Sequence, residues 1–222
     1  MCLQSHSNPA CVRRPRSRVT RAMIETWLLP ALMGIGLAAS CGLRTFLPLL
    51  LVALAARFNL FGFEPNGALA WLGSAPALVA LSIATAAEFV GDKIPMVDHA
   101  LAVVGTITRP AAGAVAAASA FHLADPGTAA LAGLIVGAPT AFAFHTAQSG
   151  TRVASTATTA GLGNPIVSLA EDLLAVVTVV LAFAAPVLIP LVLAVVLWLV
   201  WRMVRALRRS LSDINLATGY PR

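Results

Sequence analysis

The chain has 222 residues, 59% of them hydrophobic and only 11% charged, with a mean hydropathy of +0.86. Soluble domains carry about a quarter charged residues, so this composition argues against a water-facing globular protein and for one membrane domain of about six helices. The net charge of +6 is gathered at the ends, which reads as membrane topology and anionic-lipid contact and speaks against nucleic acid as a partner.

Residues 1–22 hold Arg13, Arg14, Arg16, Arg18 and Arg21 and two prolines without helical periodicity, the pattern of a disordered basic cytoplasmic tail. Cys2 and Cys11 fall there and Cys41 in an apolar run; three cysteines without metal spacing predict neither a disulfide framework nor a zinc site. A transmembrane domain is expected over 23–207, followed by a cytoplasmic tail at 208–222.

The first span runs from Trp27 to Ala56 and is too long for one straight crossing, with Gly42 and Pro48 predicting a break or tilt. Arg44 stands between charge-free runs, 26–43 and 45–56, and is expected to face protein; the alternative is a loop at 40–45 between two short helices. A turn at Pro65-Asn66-Gly67 leads to a second span from Trp71 to Val90 with Glu88 near its far end. Asp92, Lys93, Pro95, Asp98 and His99 then make a charged corner, paired or capped with the help of Arg109. Asp, Glu and His clusters suit a metal, but a solvated cytoplasmic corner is the preferred reading, so neither metal nor cofactor is expected.

Residues 100–123 form a weak apolar segment interrupted by Thr108-Arg109-Pro110, suited to a broken or enclosed helix. A clear span follows from Thr128 to His145. The stretch from Ser149 to Asp172 is then unusually polar and is either a loop in water or the lining of an enclosed cavity. A helix from Pro165 to Ala185, a turn between Pro186 and Pro190, and a last helix from Val187 to Leu207 with Trp198 and Trp201 before its basic end complete the bundle.

Basic flanks on both sides place both termini in the cytoplasm and make the number of crossings even. The expected fold is an all-α polytopic transmembrane helix bundle with six crossings, some broken or re-entrant. Gly42-Leu43-Arg44-Thr45 and Gly150-Thr151-Arg152-Val153 resemble each other, and each precedes a proline-led segment with a glutamate. This suggests two inverted three-helix repeats, 27–123 and 128–206.

The strings GLAASCGLRTFLPLL (36–50), DKIPMVDHALAVVGT (92–106) with TRPAAGA (108–114), and GTRVASTATTAGLGNPIVSLAED (150–172) resemble those of a bacterial membrane family, domain of unknown function 4126. The likeness covers residues 28–205. It implies a polytopic inner-membrane protein and an acidic residue where this chain has Ala102, so one metal ligand would be missing here.

Intramembrane ionisable residues are functional candidates, and three functions compete. In a small transporter or channel, Arg44 with Glu88 and Arg152 with Glu171 or Asp172 flank a path for a small solute or ion. Ser155, Thr156, Thr158, Thr159 and Asn164 line it. A scaffold would use the same groups to hold helices together; the lipid bilayer and a homo-oligomer of the chain are partners compatible with each of these readings. A membrane enzyme on lipid-linked substrates would rely on Asp92, Asp98 and His99, but no nucleophile–base pair or phosphate loop supports it.

Overall fold

The computed structural model describes residues 23–92, 95–159, 162–199, 201–202 and 205. Both expected tails, 1–22 and 208–222, lie outside the described residues. Among those residues every regular element is helical. A π-helical turn (Ile24–Leu28) leads into α1 (Leu29–Leu43), followed by α2 (Phe46–Phe58), a 3₁₀ segment (Gly67–Gly73), α3 (Ala75–Gly91) and α4 (Pro95–Ala120). Then come α5 (Pro126–Ala132), a second π-helical turn (Gly133–Gly137), α6 (Ala138–Thr159), α7 (Asn164–Ala184) and α8 (Pro186–Leu199), which begins with a 3₁₀ turn.

Three stretches are long and apolar enough to cross a membrane: Ile24–Leu43, Pro126–Thr159 and Pro165–Ala184. The bent pair Gly67–Gly73 and Ala75–Gly91 makes a fourth if it counts as one span, while α2 and α8 are shorter apolar helices. The outside of the bundle is apolar. On α7 the exposed face is Ile166, Leu169, Leu173, Val177 and Val180, three or four residues apart, and on α8 Leu191, Val195 and Trp198 repeat the pattern.

Helix α1 is the central one, packed against α4, α6 and α7. Small residues make this possible. A Cβ on Gly34 would stand 3.3 Å from the Ala117 backbone of α4, and one on Gly42 would meet the Ala141 carbonyl of α6. Gly133 and Gly137 likewise lie directly against the backbone of α4 at Ala114 and Gly113. Without a hydrophobic drive between helices in lipid, such close backbone approach supplies the van der Waals contact.

Paired contacts give the helix directions. Gly34 meets Ala117 while Gly42 accepts from Arg109, so α1 and α4 are antiparallel; Gly133 beside Ala118 and Gly137 beside Gly113 make α4 and α6 antiparallel too. Gly36 touches Ala182 and Ile189, and Arg44 reaches Ser168, so α7 opposes α1. Ile189 lies against Gly36 and Val196 packs on the cluster that contains Leu43, so α8 runs in the same direction as α1. Helix α2 turns back along α3, with Thr45 at Glu88 and Ala56 at Gly73.

The 27–56 span is not one tilted crossing; the alternative holds, a break between two helices, and it forms a hairpin with its apex at Arg44 and Thr45, so Met23 and Leu199 lie at opposite ends of the bundle rather than on one side. Helices α1 and α6 are parallel, so the two Gly-x-Arg motifs give no confirmation of inverted halves. The turn needs no glycine because Arg44 is extended (φ −135°, ψ 129°) and α2 restarts within two residues.

The loop after α2 is tied to the far end of the bundle. Asn59 caps α2 in the left-handed region, and Phe61 and Phe63 pack on Phe183 at 6.2 and 4.8 Å. Asn66 is buried; its amide donates to the carbonyls of Phe121 and Ala124, its oxygen accepts from Ala68 N–H, and its own N–H bonds Ser119. One side chain thus satisfies the carbonyls left open just beyond α4 and starts the next segment.

In a background without other cysteines, a cysteine at Met23 and one at Gly127 should be labelled by an impermeant maleimide from the same membrane face, and one at Trp201 from the opposite face. Labelling of positions 23 and 201 from one face would remove the hairpin. Asn66→Ala strands two carbonyls and should lower unfolding stability by about 2 kcal/mol or more, read as a shifted melting curve.

Candidate functional site

A polar cluster fills the bundle where α1 breaks. Arg44 is only 1% exposed. Its guanidinium ion-pairs with Asp92, which follows α3, and with Asp172 on α7, donates to Ser168 Oγ at 2.7 Å, and lies 5.4 Å from the centre of the Phe89 ring. Two elements, the end of α3 and the start of α7, therefore converge on one cation at the α1–α2 break.

Glu88, one turn before Asp92, caps the restarted helix. Its two carboxylate oxygens accept from the backbone N–H groups of Thr45 at 2.8 Å and Phe46 at 3.1 Å. A carboxylate at a helix N-terminus satisfies open donors and meets the positive end of the helix dipole. The apex is thus built by a residue more than forty positions away.

The second half of the cluster hangs from α4 and α6. Arg109 precedes Pro110, and the proline removes the donor for the carbonyl of Thr106 one turn back. Arg109 donates to the Gly42 carbonyl at 2.9 Å, the open end of α1, and to Gln148 Oε1. Gln148 passes the chain on, its amide donating to Glu171 Oε2 at 2.7 Å. Arg152 donates to the same oxygen at 2.9 Å and stands 3.5 Å from Asp92. His145 Nε2 lies 3.5 Å from Thr106 Oγ1.

Two cavities border these residues. One, about 60 Å³, is enclosed by Glu88, Asp92, Arg109, His145, Gln148 and Arg152. The other is a groove of about 250 Å³ between α6, α7 and α8, with Glu171 and Gln148 among otherwise mostly apolar walls. Among the described residues, five buried polar atoms lack a hydrogen-bond partner: Arg44 Nε and Asp172 Oδ1, which face each other as an ion pair, and Arg109 Nε, His145 Nδ1 and Glu171 Oε1.

The sequence-derived candidates distribute as follows. Arg44, Glu88, Arg152, Glu171 and Asp172 come together, with Arg152 on Glu171; but Arg44 takes Asp92 and Asp172, while Glu88 caps α2 instead of pairing with it. Asp92 and Arg109, expected in a separate corner, belong to the cluster, because Asp92 faces the apex arginine and Arg109 lies four turns into α4. Lys93 is outside the described residues, and the side chains of Pro95, Asp98, His99 and Asn164 are not described, so the expected corner pairings and any metal set there fall outside them.

Ser155, Thr156, Thr158 and Thr159 line neither cavity, although Ser149 and Thr151, earlier on the same helix, border the small cavity and the groove. Ser149 to Thr159 continues α6 as regular helix, and Thr158 and Thr159 bond back to Ala154 and Ser155 carbonyls on its exposed end. Thr156 is also exposed and Ser155 half-buried. The inward face is His145, Gln148 and Arg152, three and four residues apart, a spacing visible in sequence. Ser168, one turn before Glu171 and Asp172, carried the same signal.

Residues 31–206 match the family model described as Domain of unknown function (DUF4126). The chain belongs to this family. The match takes in the whole cluster, from Gly42 to Asp172, and all three strings noted in the sequence. No curated protein and no solved structure matches the chain, so the DUF4126 assignment brings a shared domain and no activity.

Replacing Arg44 by Met leaves Asp92 and Asp172 facing each other without their cation and should cost about 3–5 kcal/mol of stability. Adding Asp172→Asn should recover part of it in the same melting assay. Thr156→Val and Thr159→Val, on the exposed end of α6, should stay within about 0.5 kcal/mol of the parent.

Proposed function

We propose that the protein is a small multi-pass membrane transporter whose buried cluster holds one coupling proton or other monovalent cation. The observation that carries this reading is a charge count. Among the described side chains, Arg44, Arg109 and Arg152 share the cluster with four carboxylates, Glu88, Asp92, Glu171 and Asp172. An uncompensated charge in a low-dielectric interior costs several kcal/mol, and one proton or small cation removes the deficit. The adjoining 60 Å³ cavity, at about 10–15 Å³ for each water centre, has room for a few waters or a small hydrated ion.

The ion path in this reading runs past Glu88, Asp92, His145, Gln148 and Arg152 and not along the hydroxyls of α6. We infer seven helical passes, counting the α1–α2 hairpin as two, in place of six. The bacterial inner membrane is the proposed location, with Arg57 and Asp125 on the periplasmic side and Gly163 and the end of α8 in the cytoplasm. Arg202 and Arg205, stacked on Trp198 and Trp201, support contact of that end with anionic head groups. The role proposed is not enzymatic.

One observation favours a scaffold as the second reading: each carboxylate joins elements, Glu88 tying α3 to α2 and Asp172 tying α7 to α1. Vesicles containing the purified protein, a trapped pH dye and an imposed pH gradient separate the two. The transport reading expects the gradient to decay faster than in protein-free vesicles, and Glu171→Gln and Asp92→Asn to slow that decay. Rates equal to protein-free vesicles for protons, sodium and potassium alike would leave the scaffold.

A further inference from the structure

Four exposed tryptophans mark two levels along the bundle. Trp27 and Trp71 stand at the end where Met23 lies, and Trp198 and Trp201 at the end of α8. Tryptophan girdles sit at the two lipid–water boundaries. Arg44 is seventeen positions past Trp27, about 26 Å of helix at 1.5 Å per residue. Gly36 touches Ile189, which gives α1 and α8 a common height. From there Arg44 is eight positions on and Trp198 nine, so the apex arginine is level with the second girdle. The two counts agree, because a drop of about 26 Å nearly spans a hydrocarbon core of about 30 Å. The cluster therefore stands at one boundary of the membrane and not at its midplane.

The 60 Å³ cavity opens on the same side. Glu88, Arg109, His145 and Gln148 in its wall are buried, whereas Val104 is 54% exposed and Ser149 and Arg152 are partly exposed. Val104 precedes Arg109 on α4, and Ser149 and Arg152 follow Gln148 on α6. On both antiparallel helices the exposed lining thus lies toward the Trp198 end. Toward the Trp27 end the bundle is shut. Leu37, Cys41, Ala116, Ala117 and Ala141 are each 0% exposed, and Gly113 and Gly137 put backbone against backbone. Contact that close leaves no gap for a water.

We infer that the cavity is a one-sided vestibule: the ion that the cluster takes up enters from the membrane face at which α8 ends, and the glycine- and alanine-packed half beyond it is the permeability barrier. A cation entering from that face meets Arg152, Asp92 and Glu88 without crossing the hydrocarbon core. One entering from the Trp27 face would have to pass about 26 Å of apolar packing. The identity of the occupant rests on the transport reading, whereas the route rests on depth and packing alone.

The test uses the full chain in sealed membrane vesicles of both orientations, with Cys2, Cys11 and Cys41 replaced by alanine and one cysteine added at a time. The probe is an impermeant methanethiosulfonate with a trimethylammonium head, and Trp201→Cys is the face reference. Ser149→Cys on α6 and Thr108→Cys on α4, both lining the cavity, should react from the face that labels Trp201→Cys. From the other face they should react about tenfold more slowly or less, since a fixed charge crosses hydrocarbon poorly. A chain whose sole thiol is the native Cys41 should react from neither face in the same time. Equal reaction of Ser149→Cys from both faces overturns the proposal, as does faster reaction from the opposite face or no reaction from either face in a folded protein. Reaction of Cys41 from the Met23 face as fast as that of Ser149→Cys overturns it too. If one cavity variant does not fold, the other decides. Gradient decay in vesicles of the purified parent separates the two readings. One-sided labelling without decay removes only transport, and two-sided labelling with decay retained removes only the one-sided vestibule.

Discussion

A guanidinium held inside an apolar bundle is the constraint on which the rest depends. Arg44 cannot reach water, so its donors must be met by protein, and the partners come from the end of α3 and the first turns of α7. Meeting them fixes the depth of the hairpin apex, and that depth brings Glu88 onto the open N–H groups of α2. The carbonyl of Gly42, at the open end of α1, is then in reach of Arg109. Desolvating so many charges offsets most of the Coulombic gain, so the cluster specifies geometry more than it adds net stability.

Packing free energy comes from elsewhere. The contact between α1, α4 and the Pro126–Thr159 helix is made by glycine and alanine, with backbone on backbone at Gly34, Gly113, Gly133 and Gly137. Thin helices bring the polar groups close enough to form one network and leave the larger apolar side chains outside. The molecule therefore has the reverse pattern of a soluble domain, with charge at the centre and Leu, Ile and Val around it.

Much of this was legible in sequence, and the reasons for the rest are local. The helical class and the positions of the long apolar segments follow from composition and charge-free runs. The Arg152–Glu171 contact is readable because both residues lie in one helical hairpin, nineteen positions apart. The turn at Arg44 was legible only as the second of two readings, because what stabilises it is a carboxylate from α3 and not a turn residue. Arg109 was assigned to the nearest acidic residues in the chain, whereas four turns of helix carry it to Gln148. The hydroxyl run looked like a cavity lining by polarity alone. With no proline between Pro139 and Pro165 it stays helical to Thr159, and the hydroxyls of Thr158 and Thr159 bond their own backbone.

The π-helical turn at Gly133–Gly137 sets a phase. Ala129, Gly133, Gly137 and Ala141 recur every four residues and are all buried. In a regular α-helix, at 3.6 residues per turn, each such step would rotate the stripe by about 40°, so it would wind away from α4 within a few turns. A wider turn in the middle takes up part of that rotation. The small-residue stripe then follows α4 long enough to end beside Arg109, where His145 and Gln148 take over the same face. A single wide turn thus puts a packing surface and a chemical surface in series along one helix, with no break in the chain between them.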